Sequence, residues 1–540
     1  MGFMKGQRLE SGEIFCDALN QRSKGGACPL PKKVVRLPQA LALGLAFFTG
    51  LWQAQGAKNW VGGTSGSPND WNVPANWSPA AVPGTGDDVT IPGGRTYYPI
   101  VSAPAVSAIR TVSVNNGATV TLAPGGVLET VRGAASVKVD GTLAISGGTL
   151  TAYQDITGSG TVTMSGGALQ IGHDWHLAPG QFSATGGTVE WTGQVGDAGS
   201  GAFPGGTGVY QFFNVLIDTG VDPGFDNKAN SFVILGSWTN NGAASLTQKA
   251  TAVSFNGGNV QTIAGSSMTT FNNLTISNSA GVSLGATATV NGTLTLSLGL
   301  LITGANQIDV AAAAVVVGGS STSYVNGSLQ KAFANAGNQS FTFPIGDTST
   351  FTPLAVSAFN VTSAGTLTAR TAAGEHPNLQ TSGINPAQDV NRYWTLSPQP
   401  GLGMSSCTAT FTFVPADVDA GASTTNFIAK RFGGSWSATT VATAAATSTT
   451  MTGVIAYGDF AVGMAGQPAP TLTSCSRQVD GSASIGLAGV AGWTYRIQAS
   501  TDLAVWTELG AVTAGTNGFC EFDDPNASAF PYRFYRAVLP

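Results

Sequence analysis

Along most of the chain, apolar and polar residues alternate with a period of two, in short runs closed by Gly, Asn or Pro. Ser136–Val139, Thr142–Ile145, Thr161–Met164 and Thr188–Trp191 show the pattern clearly. Such alternation predicts half-buried β-strands, whose successive side chains point to opposite faces. No stretch of ten or more residues carries apolar positions at helical spacing. An all-β chain is expected.

The punctuation is itself periodic. Gly147-Gly148, Gly166-Gly167 and Gly186-Gly187 stand 19 and 20 residues apart, and Gly125-Gly126 lies 22 before the first pair. β-branched strands separated by Gly at a period near 20 point to successive coils of a parallel β-helix. Two antiparallel hairpins per unit give a similar pattern, so both arrangements fit. A looser echo follows: Val189–Gly193 reappears as Val253–Gly257, and Phe212–Ile217 as Phe271–Ile276. From about 331 the period vanishes. Phe341–Phe343, Leu367–Ala369, Tyr393–Leu396, Thr408–Phe413 and Asp459–Val462 then read as strands of a sandwich. The resulting division is leader and signal peptide 1–56, Trp-rich cap and coils 57–195, further β repeats 196–330, β-sandwich 331–465, linker 466–470 and a small β module 471–540.

The leader changes the picture of where the chain works. Lys32, Lys33 and Arg36 precede an apolar run from Ala40 to Trp52, followed by Ala54-Gln55-Gly56 with small residues at −3 and −1. This is the layout of a secretory signal peptide with cleavage after Gly56. The run is shorter than the ~18 residues of a membrane span. Met1–Pro31, ahead of it, reads as an extended leader or a mis-set start.

Only 9% of the 540 residues are charged, while 42% are hydrophobic and 73 are Gly. These figures exclude a charge-rich disordered chain and a long coiled coil. Beyond Gly56, 484 residues carry 16 basic and 25 acidic side chains, a net charge of −9. No nucleic-acid partner and no transmembrane segment are expected of that mature chain.

Three segments resemble known secreted bacterial proteins. Trp60-Val61-Gly62-Gly63, Asp70-Trp71-Asn72, Asn76-Trp77-Ser78 and Gly86–Ile91 resemble the opening of bacterial surface β-helix proteins of the autotransporter-passenger type. In physical terms Trp60, Trp71 and Trp77 suit a cap over the first coil's open edge; a carbohydrate-stacking platform is the rival use. Phe343–Asp347, Phe351–Leu354 and Asn391–Leu396 resemble a β-sandwich module of large secreted bacterial proteins. Tyr495–Leu503, Trp506-Thr507 and Arg533–Ala537 are similar to a terminal module of secreted verrucomicrobial proteins. The resemblance implies location and class, and brings no catalytic residue.

Candidate chemistry is sparse. The chain has three histidines: His173 and His176 in His173-Asp174-Trp175-His176, and His376 in a Gly/Pro-flanked loop. In a strand, positions i and i+3 face opposite ways, so His173 and His176 meet only if a loop folds them together. Asp218, Asp222 and Asp226, spaced by four with Lys228 nearby, suit a Ca²⁺ held through loop oxygens, or equally a solvated turn. No column of acids is evident at the coil period. Cys475 and Cys520 fall near the two ends of the last module, where a disulfide or two separate thiols both fit. No other cofactor is expected. The reading that follows is a secreted or cell-surface structural protein that adheres to polysaccharide or another envelope or matrix component. The alternative is a carbohydrate-active β-helix enzyme, a lyase or hydrolase with accessory binding modules.

Overall fold

The computed structural model describes residues 56–105, 108–131, 137–193, 208–225, 231–243, 245–246, 251–399, 401–466 and 470–539. The leader and its apolar run lie outside the described residues. Among those described, no helix is long and apolar enough to cross a membrane.

The alternating runs form a parallel β-solenoid of about 11 turns. Each coil visits three faces in order. Face 1 begins with Ala57–Trp60, Asp88–Ile91, Thr111–Val114, Val137–Val139 and Ile156–Thr157, each paired in parallel with the next. Faces 2 and 3 are often one strand bent at a Gly pair, as in Thr142–Ala152 and Thr161–Ile171. Backbone hydrogen bonds therefore run from coil to coil, and the hairpin arrangement is ruled out here.

Alternation decides what fills the interior. On face 2, Val120, Leu143, Val162 and Phe182 are consecutive partners. On face 3, Leu128, Leu150, Leu169, Val189, Val215 and Trp238 are stacked likewise. All are essentially fully buried, each worth roughly 1.5–3 kcal/mol or more of apolar burial. Halfway along, the stack turns aromatic: Trp175, Phe182, Trp191 and Phe212 make ring contacts, with Phe225, Phe232 and Trp238 continuing the series.

The Gly column has a steric cause. At the bend between faces 2 and 3, a Cβ on Gly167 would meet the carbonyl oxygen of Gly148 one coil below, and Gly167 has φ +75°. Gly167→Val should therefore destabilise the solenoid, by about 1–3 kcal/mol for backbone strain alone. A urea melt that leaves the midpoint unchanged would contradict this stacking register.

The longer echo has a different meaning from the Gly period. Val189 lies on face 3 and Val253 on face 2; Phe212 begins on face 2 and Phe271 on face 1. Both echoes are displaced by one face, because every face demands the same apolar-in, polar-out pattern.

Both ends of the solenoid are closed. At the N-terminal end, Trp77–Ser78 pairs antiparallel with Ala57–Trp60. Trp60, Trp71 and Trp77 are buried and pack edge-to-face, with centroids 5.0 and 4.7 Å apart. They form a cap, and no face of theirs is open for a sugar to stack on. At the other end, Val325–Phe333 is shared. Its first residues continue face 3 towards Ile345–Gly346, and Leu329–Phe333 pairs antiparallel with Gly365–Ala373 of the sandwich. Lys331 sits in this junction, buried, its Nζ donating to the carbonyls of Ala311, Ala312 and Ala314 at 2.6, 2.9 and 2.7 Å. Burial holds its ammonium down to about 8.

One sandwich sheet runs from that shared strand through Gly365–Ala373, Arg392–Pro398, Gly458–Ala465 and Ile428–Phe432. The other contains Gly337–Phe343, Leu354–Ser363, Cys407–Thr412 and Ser448–Val454. Trp436–Ala445 pairs with both sheets. Its apolar interior is continuous with that of the solenoid. Residues 471–538 form two three-stranded sheets around a separate small core of Ile485, Leu487 and Ile497.

Candidate functional site

Two features of the solenoid surface present themselves for recognition or chemistry. The first is the outer side of face 2. Thr121, Ala144, Thr163, Ser183, Gln211, Val233, Ser254, Thr275, Thr295 and Val317 are consecutive partners in one column. Beside it, Val209, Ser231, Ala252, Asn273, Thr293 and Val315 form a second. Neither column contains a charged residue. The coils repeat at the ~4.8 Å strand spacing, so hydroxyl and methyl groups recur on a flat lattice. Val209, Val315 and Val317 are about half exposed.

The second feature is a compact group at the start of face 1. Ile156 and Trp175 are bridged between adjacent coils, which places Asp155 and Asp174 one above the other. His173 Nδ1 lies 2.8 Å from Asp155 Oδ1, and His176 Nε2 lies 3.6 Å from Asp174 Oδ2. Ligand atoms of Asp155, Asp174 and His176 all lie within 4.8 Å of one another. The turn thus gathers His173 and His176, which strand geometry alone would have separated. It also stacks two acids, Asp155 and Asp174, on adjacent coils, a pair rather than a column running along the solenoid. Asp155 was missed, although it precedes Asp174 by 19 residues, the spacing of the Gly pairs. Two carboxylates and an imidazole within reach of one point make a mixed O/N donor set of the kind that suits a borderline divalent metal.

The other sequence candidates fall elsewhere. Asp218 follows the face 3 strand Asn214–Ile217, and burial, then the charge of Glu190, push its carboxyl up. Asp222 Oδ1 accepts from Gly224 N at 3.0 Å, an Asx-type turn. Asp226 and Lys228 lie outside the described residues, so the trio cannot be assembled from those described. Gly56 immediately precedes the first strand. Cys475 and Cys520 are free thiols on strands that flank Ala483–Ala488 on opposite sides. Two strand spacings, about 9–10 Å, exceed the ~7 Å Cα limit of a disulfide, so the bridge is absent.

His376 is a core residue. It is buried among Tyr393, Phe432 and Trp436. Its Nδ1 accepts from Asn378 N at 3.1 Å, which assigns the proton to Nε2, facing Asp459 Oδ2 at 3.1 Å. Arg392 is likewise buried. Its guanidinium pairs with Asp347 at 2.7 Å and with Asp417 at 2.9 Å. Asp347 closes Phe343–Asp347 and Arg392 opens Arg392–Leu396, so the two halves of one sequence motif meet as an ion pair.

Residues 59–173 match a domain of unknown function, DUF8693. That span contains the Trp cap and the early coils, and ends at His173 within the Asp/His group. No curated protein and no solved structure matches the chain.

Proposed function

We propose that this is a secreted or cell-surface structural protein of the adhesion type, without catalytic activity of its own. Its solenoid would engage polysaccharide or another envelope or matrix component through the outer side of face 2. The observation that carries this reading is the pair of uncharged Thr, Ser, Gln and Val columns extending over successive coils. Acid–base cleavage of a glycosidic bond calls for paired carboxyls, whereas a flat hydroxyl and methyl lattice offers weak contacts repeated many times. Repetition converts weak contacts into firm attachment. The signal-peptide layout of residues 32–56 supports export.

The Asp155, His173, Asp174 and His176 group favours the second reading, a carbohydrate-active enzyme, because it alone combines stacked acids with imidazoles near the surface. One screen separates the two. Residues 57–540 are incubated with a panel of polysaccharides, and both retention and released fragments are measured. Binding without cleavage is the expected outcome. Cleavage lost in Asp155→Asn would replace the adhesion reading with the enzymatic one.

A further inference from the structure

Three carboxylates from three separate parts of the sandwich converge beside the Arg392 ion pair. Asp389 ends the strand Ile384–Asp389, Glu375 follows Gly365–Ala373, and Asp419 lies just beyond the turn Pro415–Asp417. Their oxygens lie within 4.8 Å of one another. Asp419 is held in place: its Oδ1 accepts from Asn391 Nδ2 at 2.7 Å and its Oδ2 from Asp389 N at 3.1 Å.

Asp389 is different. Its side chain is 1% exposed, and neither carboxylate oxygen has a hydrogen-bond partner. Ionised carboxylates only accept, so Glu375 and Asp419 cannot satisfy it. An unpartnered buried carboxylate is among the costliest arrangements a fold can hold.

The neighbouring acids show how the fold treats such a case when a cation is supplied. Asp417, two residues from Asp419, is matched by buried Arg392. Among the described residues, no Lys, Arg or His forms an ion pair with Glu375, Asp389 or Asp419.

We infer that Glu375, Asp389 and Asp419 form a binding site for a hard divalent cation of the Ca²⁺ type. An all-oxygen donor set selects such an ion over softer metals. Glu375 is exposed, which leaves one side open for entry and for water ligands. The ion ties the loop after Gly365–Ala373 to the end of Ile384–Asp389 and to the turn before Asp419. This inference does not depend on what the solenoid binds.

The test is calorimetric titration of CaCl₂ into the EDTA-treated full chain, with thermal unfolding followed in 5 mM CaCl₂ and in EDTA. Wild type should bind Ca²⁺ with a dissociation constant no weaker than about 1 mM, and its sandwich transition should rise with Ca²⁺. Asp389→Asn keeps the side-chain shape and removes the charge. It should lose one equivalent of bound Ca²⁺ and the Ca²⁺-dependent rise, while staying folded in EDTA. Exposed Glu375→Gln should weaken the same event at least tenfold. Wild-type and Asp389→Asn chains that bind Ca²⁺ equally, or a wild-type transition indifferent to Ca²⁺, would overturn the assignment and leave a proton shared among the three acids.

Discussion

Arg392→Met should lower the stability of the sandwich by about 3–5 kcal/mol, the range for breaking a buried ion pair from one side. Arg392 is 1% exposed and holds two carboxylates that are themselves mostly buried. Removing it leaves Asp347 and Asp417 charged, desolvated and unmatched. Asp347 also directly follows the face 3 strand Ile345–Gly346, and its backbone carbonyl accepts from buried Tyr324. The loss should therefore reach the solenoid junction as well. Scanning calorimetry should show a sandwich transition at clearly lower temperature. Adding Asp347→Asn and Asp417→Asn to Arg392→Met should recover much of the loss, because the orphaned charges go with them. A single Arg392→Met variant that melts like wild type would show that the pair contributes nothing.

The same pair has a pH signature. Burial works against ionisation of Asp347, yet the Ser349 amide and the Arg392 guanidinium hold it below its ordinary value. A carboxyl with a depressed folded value binds fewer protons folded than unfolded. Its stabilisation is complete above the ordinary ~3.9 and drains away as pH falls through the folded value. Wild type should lose sandwich stability below about pH 4, and Arg392→Met should have a flatter acid limb over that window.

Trp77→Ala should cost a similar amount, about 3–5 kcal/mol, at the opposite end. Trp77 is 2% exposed, packs against both Trp60 and Trp71, and donates its Nε1–H to the Trp71 carbonyl at 2.7 Å. It also begins the strand that pairs with the edge of Ala57–Trp60. Loss of the ring loosens that strand and uncovers a parallel edge competent to pair with another chain. A chemical melt should report the destabilisation, and size-exclusion chromatography should report new oligomers. A variant that is monomeric and as stable as wild type would remove the cap from its role.

How far the sequence reveals this molecule depends on how local each cause is. Thr142–Ile145 and Thr161–Met164 can be read directly, because strand alternation and the Gly bend are set within one coil. The Trp cap is legible for the same reason: its three rings lie within 18 residues. What faces what is harder. Val189 and Val253 look equivalent in sequence and occupy different faces, since all faces impose one pattern. His376 reads as a loop residue, but its environment is made by Phe432, Trp436 and Asp459, far along the chain. Glu375, Asp389 and Asp419 carry no spacing signature at all, because each comes from a separate element of an antiparallel fold. Asp155 and Asp174 lie between these cases, separated by one coil.

The shared strand Val325–Phe333 has a mechanical consequence. A flexible linker between a repeat array and a following domain lets each swing and unfold alone. Here one strand is at once a rung of the solenoid and a member of a sandwich sheet, with Lys331 clamped onto three carbonyls at the crossing. Tension applied along the chain from solenoid to sandwich has to pass through that strand, so the two are expected to resist a pull together rather than swing apart at a linker.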